Sequence, residues 1–163
     1  MRMDVQLRSL YEVECWREGR LLWSDSFWNL VTTVGKNILL DQTFYSGTVT
    51  PTWYISLVNN ASFTQYAAAD TMSSHAGWLE ATGYSNATRV AYTMIAAVSG
   101  STSNDASRAL FNINATATIR GAFLVNQSTK GGTTGTLYGE GDFAAARSVV
   151  SGDVLSIKIT LTD

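Results

Sequence analysis

A single histidine, a single cysteine and a single proline stand among the 163 residues, and each scarcity closes a class of function. With His75 alone there is no histidine cluster to hold a metal, and Cys15 alone can form neither an intrachain disulfide nor a thiolate site. No metal or other cofactor is therefore expected. Charge is scarce too: 11 basic residues face 13 acidic ones, for a net charge of −2. No run of Lys or Arg forms a stripe that could neutralise phosphates, which argues against a nucleic-acid partner. No apolar stretch approaches the roughly 18 residues that span a bilayer, so no membrane partner is expected. Residues 1–18 carry charges every few positions and lack the apolar run of a signal peptide, so the expectation is synthesis in a cytoplasm. Without a secretory route, the Asn-x-Ser/Thr triplets at Asn60, Asn86, Asn114 and Asn126 report only a chain rich in those residues.

What the sequence does have is apolar and aromatic. Hydrophobic residues make up 45% of it, with five Trp, seven Tyr and six Phe spread along its length. That composition excludes a disordered tail and suits one packed domain over residues 1–163. Tyr11, Val13 and Cys15 alternate with Glu12 and Glu14, a turn follows at Arg17-Glu18-Gly19-Arg20, and Leu21-Leu22-Trp23 resumes an extended run: a β-hairpin. Between Thr33 and Phe44 the period changes. Val34 and Ile38 are four apart, as are Leu40 and Phe44, and Thr33 stands where an N-cap belongs, which predicts a helix. Trp53, Ile55 and Leu57 mark a short strand entered from Pro51, suited to an edge or a strand start. Residues 59–88 lose any period and predict a long ordered loop with a helical turn, of the kind kept for a contact.

The second half alternates more clearly. Val90, Tyr92 and Met94 oppose Arg89, Ala91 and Thr93, and a polar loop follows over residues 99–105. Phe111 and Ile113 open another strand. Ala117, Ile119, Gly121, Phe123 and Val125 share one parity against Thr116, Thr118 and Arg120, as in a strand with one wet face. After a flexible turn at residues 130–135 and Leu137-Tyr138, the chain closes on Leu155, Ile157, Ile159 and Leu161 alternating with Ser156, Lys158, Thr160 and Thr162. Seven or eight such strands with one helix predict an all-β fold, an antiparallel β-sandwich of jelly-roll type.

The candidates for chemistry are few. Asp70, Ser73, Ser74 and His75 lie together, but the members of a catalytic triad normally come from separate elements, so a loop histidine in solvent or at a contact is expected. Glycines 131, 132, 135, 139 and 141 lack the strand and helix context of a phosphate loop and are expected in hairpin turns. Glu140, Asp142 and Asp153 could pair as glycosidase carboxylates, yet acidic residues beside Gly139, Gly141 and Gly152 are expected to make turns and caps. Cys15 reads as a small buried hydrophobe. No catalytic residue is assigned, and an enzyme is not expected. Aromatic side chains that stack on sugars would make a carbohydrate-binding module, but most of these aromatics hold the apolar parity of a core.

Several stretches resemble a group of small structural proteins of tailed bacteriophages. They begin with Cys15-Trp16-Arg17-Glu18-Gly19-Arg20-Leu21-Leu22-Trp23 and Asn29-Leu30-Val31-Thr32-Thr33-Val34-Gly35-Lys36-Asn37-Ile38-Leu39-Leu40-Asp41. They continue through Trp53-Tyr54-Ile55-Ser56-Leu57-Val58 and Tyr84-Ser85-Asn86-Ala87-Thr88-Arg89. Gly121-Ala122-Phe123-Leu124, Gly131-Gly132-Thr133, Gly135-Thr136-Leu137-Tyr138 and Arg147-Ser148-Val149-Val150-Ser151-Gly152-Asp153-Val154-Leu155 complete the likeness. The resemblance covers most of the chain and implies a virion component. The expectation is a capsid decoration or cement protein, a homo-oligomer and specifically a trimer, bound over junctions of the major capsid protein. The alternatives are a neck, tail or fibre component and, from another class, the carbohydrate-binding module.

Overall fold

The computed structural model describes residues 7–45 and 52–162, and the two-sheet sandwich expected from the sequence is what forms. One sheet runs in the order β2 (Arg20–Trp28), β1 (Arg8–Arg17), β11 (Val154–Thr162), with β7 (Ser101–Ser103) and β8 (Ala109–Asn112) sharing the far side of β11. The other runs β3 (Leu30–Val31), β10 (Leu137–Val149), β9 (Ala117–Val125), β4 (Trp53–Asn59), with β5 (Leu79–Ala81) and β6 (Val90–Tyr92) sharing the far side of β4. The pairings within both sheets are antiparallel. Consecutive strands β9 and β10 pair within one sheet, and this strand order does not establish a jelly-roll winding. β4 is flanked on both sides and is not an edge; Pro51 lies outside the described residues.

The expected alternation fills the space between the sheets. Tyr11, Val13 and Cys15 of β1 and Leu155, Ile157 and Ile159 of β11 meet Ile55, Leu57, Ile119, Leu124 and Phe143 from the opposite sheet, all of them buried. β11 has a gap in its far-side pairing, because β8 reaches only Ile157 and β7 begins at Thr160. The buried side chain of Asn104 fills it: its amide nitrogen donates to the Ile157 carbonyl (3.1 Å) and its oxygen accepts from the Ile159 amide (2.7 Å). Ile157 is thus fixed from both sides, and Ile157→Val should cost about 0.5–1.5 kcal/mol by loss of one buried methyl group. Urea unfolding with an unchanged midpoint would contradict that placement.

A second core lies on the outer face of the β4–β9–β10 sheet. Residues 60–78 fold back over it and enclose Val58, Met72, Trp78, Phe123, Val125 and Leu137, with Tyr54, Phe63 and Tyr66 at the margin. The supposed one-face pattern of β9 breaks for this reason. Pairing with β4 passes from Ile119↔Asn59 to Gly121↔Val58, so Arg120 is an extra residue, a bulge that reverses the parity. Ile119, Ala122 and Leu124 face the main core, while Phe123 and Val125 face the second. The long segment does carry order, but its helical turn is absent: residues 59–88 hold turns, a Thr71–Ser74 bridge and β5.

The helix α1 (Thr33–Phe44) forms where expected, capped one residue earlier than predicted: the Gly35 amide donates to Thr32 Oγ1 (3.0 Å). Gly35 lies so close to the Tyr138 carbonyl that a β-carbon has no room there, which is how α1 lies down on β10.

Candidate functional site

An apolar groove of about 880 Å³ lies at one end of the sandwich. The chain crosses between sheets here. β2 ends at Trp28, the Asn29 amide donates to the Ser9 carbonyl (3.0 Å), and Leu30-Val31 joins the second sheet before Thr32 starts the helix. The walls are therefore Leu7, Trp28 and Leu30 on the strand side and Leu39 and Leu40 on the helix, with Lys36 at the rim. Trp28 is 54% exposed and Leu40 56%; Phe44, one turn beyond Leu40, is 81% exposed. The Leu40/Phe44 spacing that predicted the helix marks its outer stripe, and only Gly35 of α1 is buried. Sequence reasoning missed the groove, although that stripe was a signal for it.

The titratable residues gather elsewhere. Beneath residues 60–78, Asp70 and Glu140 come together. Asp70 Oδ2 accepts from the Trp78 indole and from the Ala67 amide, both at 3.1 Å. Glu140 is fully buried opposite Phe123, and neither of its oxygens has a well-aligned hydrogen-bond donor, the Ala67 amide and the Trp78 indole lying near enough only to draw its pKa part of the way down. Burial first, and then the adjoining Asp70 carboxyl, push its pKa up to about 9. A protonated Glu140 has a hydrogen to donate, and Asp70 is the acceptor beside it. Asp142, two residues on, pairs with Arg120 (2.5 Å), whose guanidinium lies over Phe63, while Tyr66 donates to the Gly141 carbonyl (3.2 Å). Glu140 and Asp142 thus stand mid-strand in β10 and not in turns, because β10 runs through to Val149. Gly139 and Gly141 are in the same strand, where Asn29 and Phe27 crowd them. Gly131, Gly132 and Gly135 do lie in the β9–β10 connection.

Asp153 keeps its expected turn role. It accepts from Arg17 Nε (2.6 Å) and from the Val150 amide (3.0 Å), and the Arg17 guanidinium holds its carboxyl below the usual range. His75 stacks on Trp78 with ring centres 3.9 Å apart, and its Nδ1–H donates to the Trp78 carbonyl (3.0 Å). Among the described residues no hydrogen bond joins His75 to Asp70, Ser73 or Ser74, so the neighbours in sequence form no triad. Cys15 is buried in β1, and burial pushes its thiol up to about 11. Trp53, Trp78, Tyr84 and Tyr92 are buried, as the core reading of the aromatics requires. Trp78 and Tyr84 therefore offer no contact surface, contrary to the expectation for residues 59–88.

A second buried charge pair pins the end of this sheet. Arg89, placed on the wet face by its parity with Ala91, is 1% exposed and forks onto Glu80, with Nε to Oε1 at 3.0 Å and a terminal nitrogen to Oε2 at 2.7 Å. Among the described residues no group of three or more His, Cys, Asp or Glu is arranged to hold a metal ion. No helix there is long and apolar enough to cross a membrane. Neither the protein-family models nor the curated proteins compared with this chain give a match.

Proposed function

We propose that this chain is a structural component of a bacteriophage virion, a decoration or cement protein that binds the capsid as a homotrimer over junctions between major capsid subunits. The observation that carries the reading is the apolar groove. Between the sheets the large apolar side chains are buried, yet Trp28, Leu30, Leu40 and Phe44 remain open to water. Contiguous apolar surface of that kind is kept for a partner. The resemblance of the strand and turn sequences to tailed-phage structural proteins supplies the setting.

Deletion of the gene from the phage that encodes it tests the reading. Particles lacking the protein should assemble but burst at a lower temperature or under a milder osmotic shock, because a bound cement stabilises only the state it binds. Mass spectrometry of intact particles should find it at a copy number set by the capsid lattice. Equally robust mutant particles would overturn the cement assignment, and full heads lacking tails would move the protein to the neck.

A further inference from the structure

We propose that the outer face of the β2–β1–β11 sheet binds a neutral saccharide, in a polar hollow between the two strands of the first hairpin and Arg108. Such a site serves the chain wherever it sits in a particle, and of the residues behind the capsid reading it uses only Trp28.

The outer faces of the two sheets differ. Residues 60–78 cover that of the second sheet, whereas on the first sheet Ser24, Ser26, Trp28, Leu110 and Asn112 stay exposed. The two-residue period of a strand puts Ser24, Ser26 and Trp28 of β2 on this face, directly beside Glu14, Glu12 and Leu10 of β1, their partners in register. Across β1, Lys158 stands opposite Glu12 and Ser156 opposite Glu14. Serine is small, so the surface dips over β2. The dip is a hollow of about 450 Å³ lined by Glu12, Glu14, Ser24, Ser26 and Arg108, within the range of roughly 300–1,000 Å³ typical of small-ligand sites.

The polar groups of the hollow are fixed in place by one another. Lys158 Nζ lies 2.9 Å from Glu12 Oε2, and Glu14 Oε2 receives both Arg108 and the Trp16 indole at 3.1 Å. Arg108 and Lys158 also meet Asp105, at 3.3 and 3.9 Å. Glu12 and Glu14 are thus each clamped through one oxygen, and a clamped carboxylate accepts hydroxyl protons without first losing side-chain freedom. Three carboxylates against two cations leave no positive excess for a phosphate, and a metal ion would have to displace Arg108 and Lys158 from their partners. A neutral ligand rich in hydroxyls meets neither obstacle: its O–H groups donate to Glu12 and Glu14, the two serine hydroxyls donate or accept, and Arg108 donates to its oxygens. Trp28, 54% exposed and two residues beyond Ser26, adds the flat apolar surface against which the C–H face of a sugar ring packs. From Ser24 to Trp28 the strand runs roughly 13 Å, the span of a short oligosaccharide.

The experiment is saturation-transfer NMR on the full chain with linear tetrasaccharides of glucose, mannose, galactose and N-acetylglucosamine, each at millimolar concentration, followed by titration of the strongest binder. At least one sugar should take up saturation from the protein. Ser26→Arg, which fills the hollow, should abolish that binding; Glu14→Gln and Trp28→Ala should each weaken it by about tenfold or more. Leu40→Glu, in the apolar groove, should leave it unchanged. None of these side chains is in a core, and an unchanged melting profile confirms that each variant folds. Transfer to none of the four sugars would overturn the proposal. So would binding that survives both S26R and W28A, binding lost in L40E alone, or inorganic phosphate or calcium shifting the resonances of the hollow where the sugars do not.

Discussion

Arg89→Met is expected to remove about 3–5 kcal/mol of stability by leaving a buried carboxylate without its partner. The guanidinium is fully enclosed, and Glu80 is nearly so, with side-chain exposures of 0% and 7%. Beyond its two bonds to Glu80, Arg89 donates to the Gln127 carbonyl (3.0 Å) and to the Gly132 carbonyl (2.7 Å), and it lies 5.4 Å from the Phe123 ring centre. Glu80 in turn accepts from Ser56 Oγ (2.6 Å) and from the Gly131 amide (2.9 Å). One pair therefore ties β4, β5 and β6 to the β9–β10 connection, with almost every donor satisfied. A methionine fills much of the volume but abandons Glu80 and two carbonyls. For a domain of this size the loss corresponds to a melting temperature lower by roughly 6–20 °C. Arg89→Met combined with Glu80→Leu should recover part of it, because no uncompensated charge remains. A single variant melting within two degrees of wild type, by any optical probe, would show that the pair is dispensable.

The same residue shows where reading the sequence stops. Alternation located the strands whose one face is apolar and whose other face is wet, and β1 and β11 form as expected, with Tyr11, Val13, Cys15, Leu155, Ile157 and Ile159 all inside. The rule assigns a polar residue to water. Arg89 and Glu140 violate it because the outer face of their sheet is itself covered, by the β9–β10 connection in one case and by residues 60–78 in the other. Nothing local in the sequence announces that cover, which comes from residues tens of positions away. A bulge is equally silent: Arg120 adds one residue to β9 and sends Phe123 to the opposite side from Ile119. The helix was legible in period but not in orientation, since Leu40 and Phe44 satisfy the spacing of a buried stripe and face out. Of the candidate chemical residues, Asp70 and Glu140 came from separate suspicions, a triad and a glycosidase pair. Folding brings these two together, away from the groove.

That meeting makes stability fall as the solution becomes alkaline. Unfolded, the Glu140 carboxyl loses its proton near pH 4.3, the ordinary value for glutamate; folded, it holds the proton up to about pH 9. Between these limits the folded chain binds one proton more than the unfolded chain, so the free energy of unfolding drops by about 1.4 kcal/mol for each pH unit gained. The contribution is complete below pH 4.3, declines through neutrality, and is spent above about pH 9. The titratable groups facing this carboxyl are Asp70, Tyr66 and Tyr11, and the Arg120 guanidinium beside Tyr66 is committed to Asp142. Loss of the proton would put two carboxylates side by side under Trp78 and should loosen residues 60–78 first. Glu140→Gln keeps the shape, stays neutral at every pH and retains a donor for Asp70. Its urea midpoint should match or exceed wild type at pH 6, and its advantage should widen steadily to pH 9, by several kcal/mol in total. Hydrogen exchange at the backbone amides of residues 60–78 would report the loosening directly, accelerating beyond the intrinsic pH dependence in wild type above neutrality but not in E140Q. Parallel stability profiles for the two proteins from pH 6 to pH 9 would show that Glu140 is ionised in the folded state and that Asp70 does not share its proton.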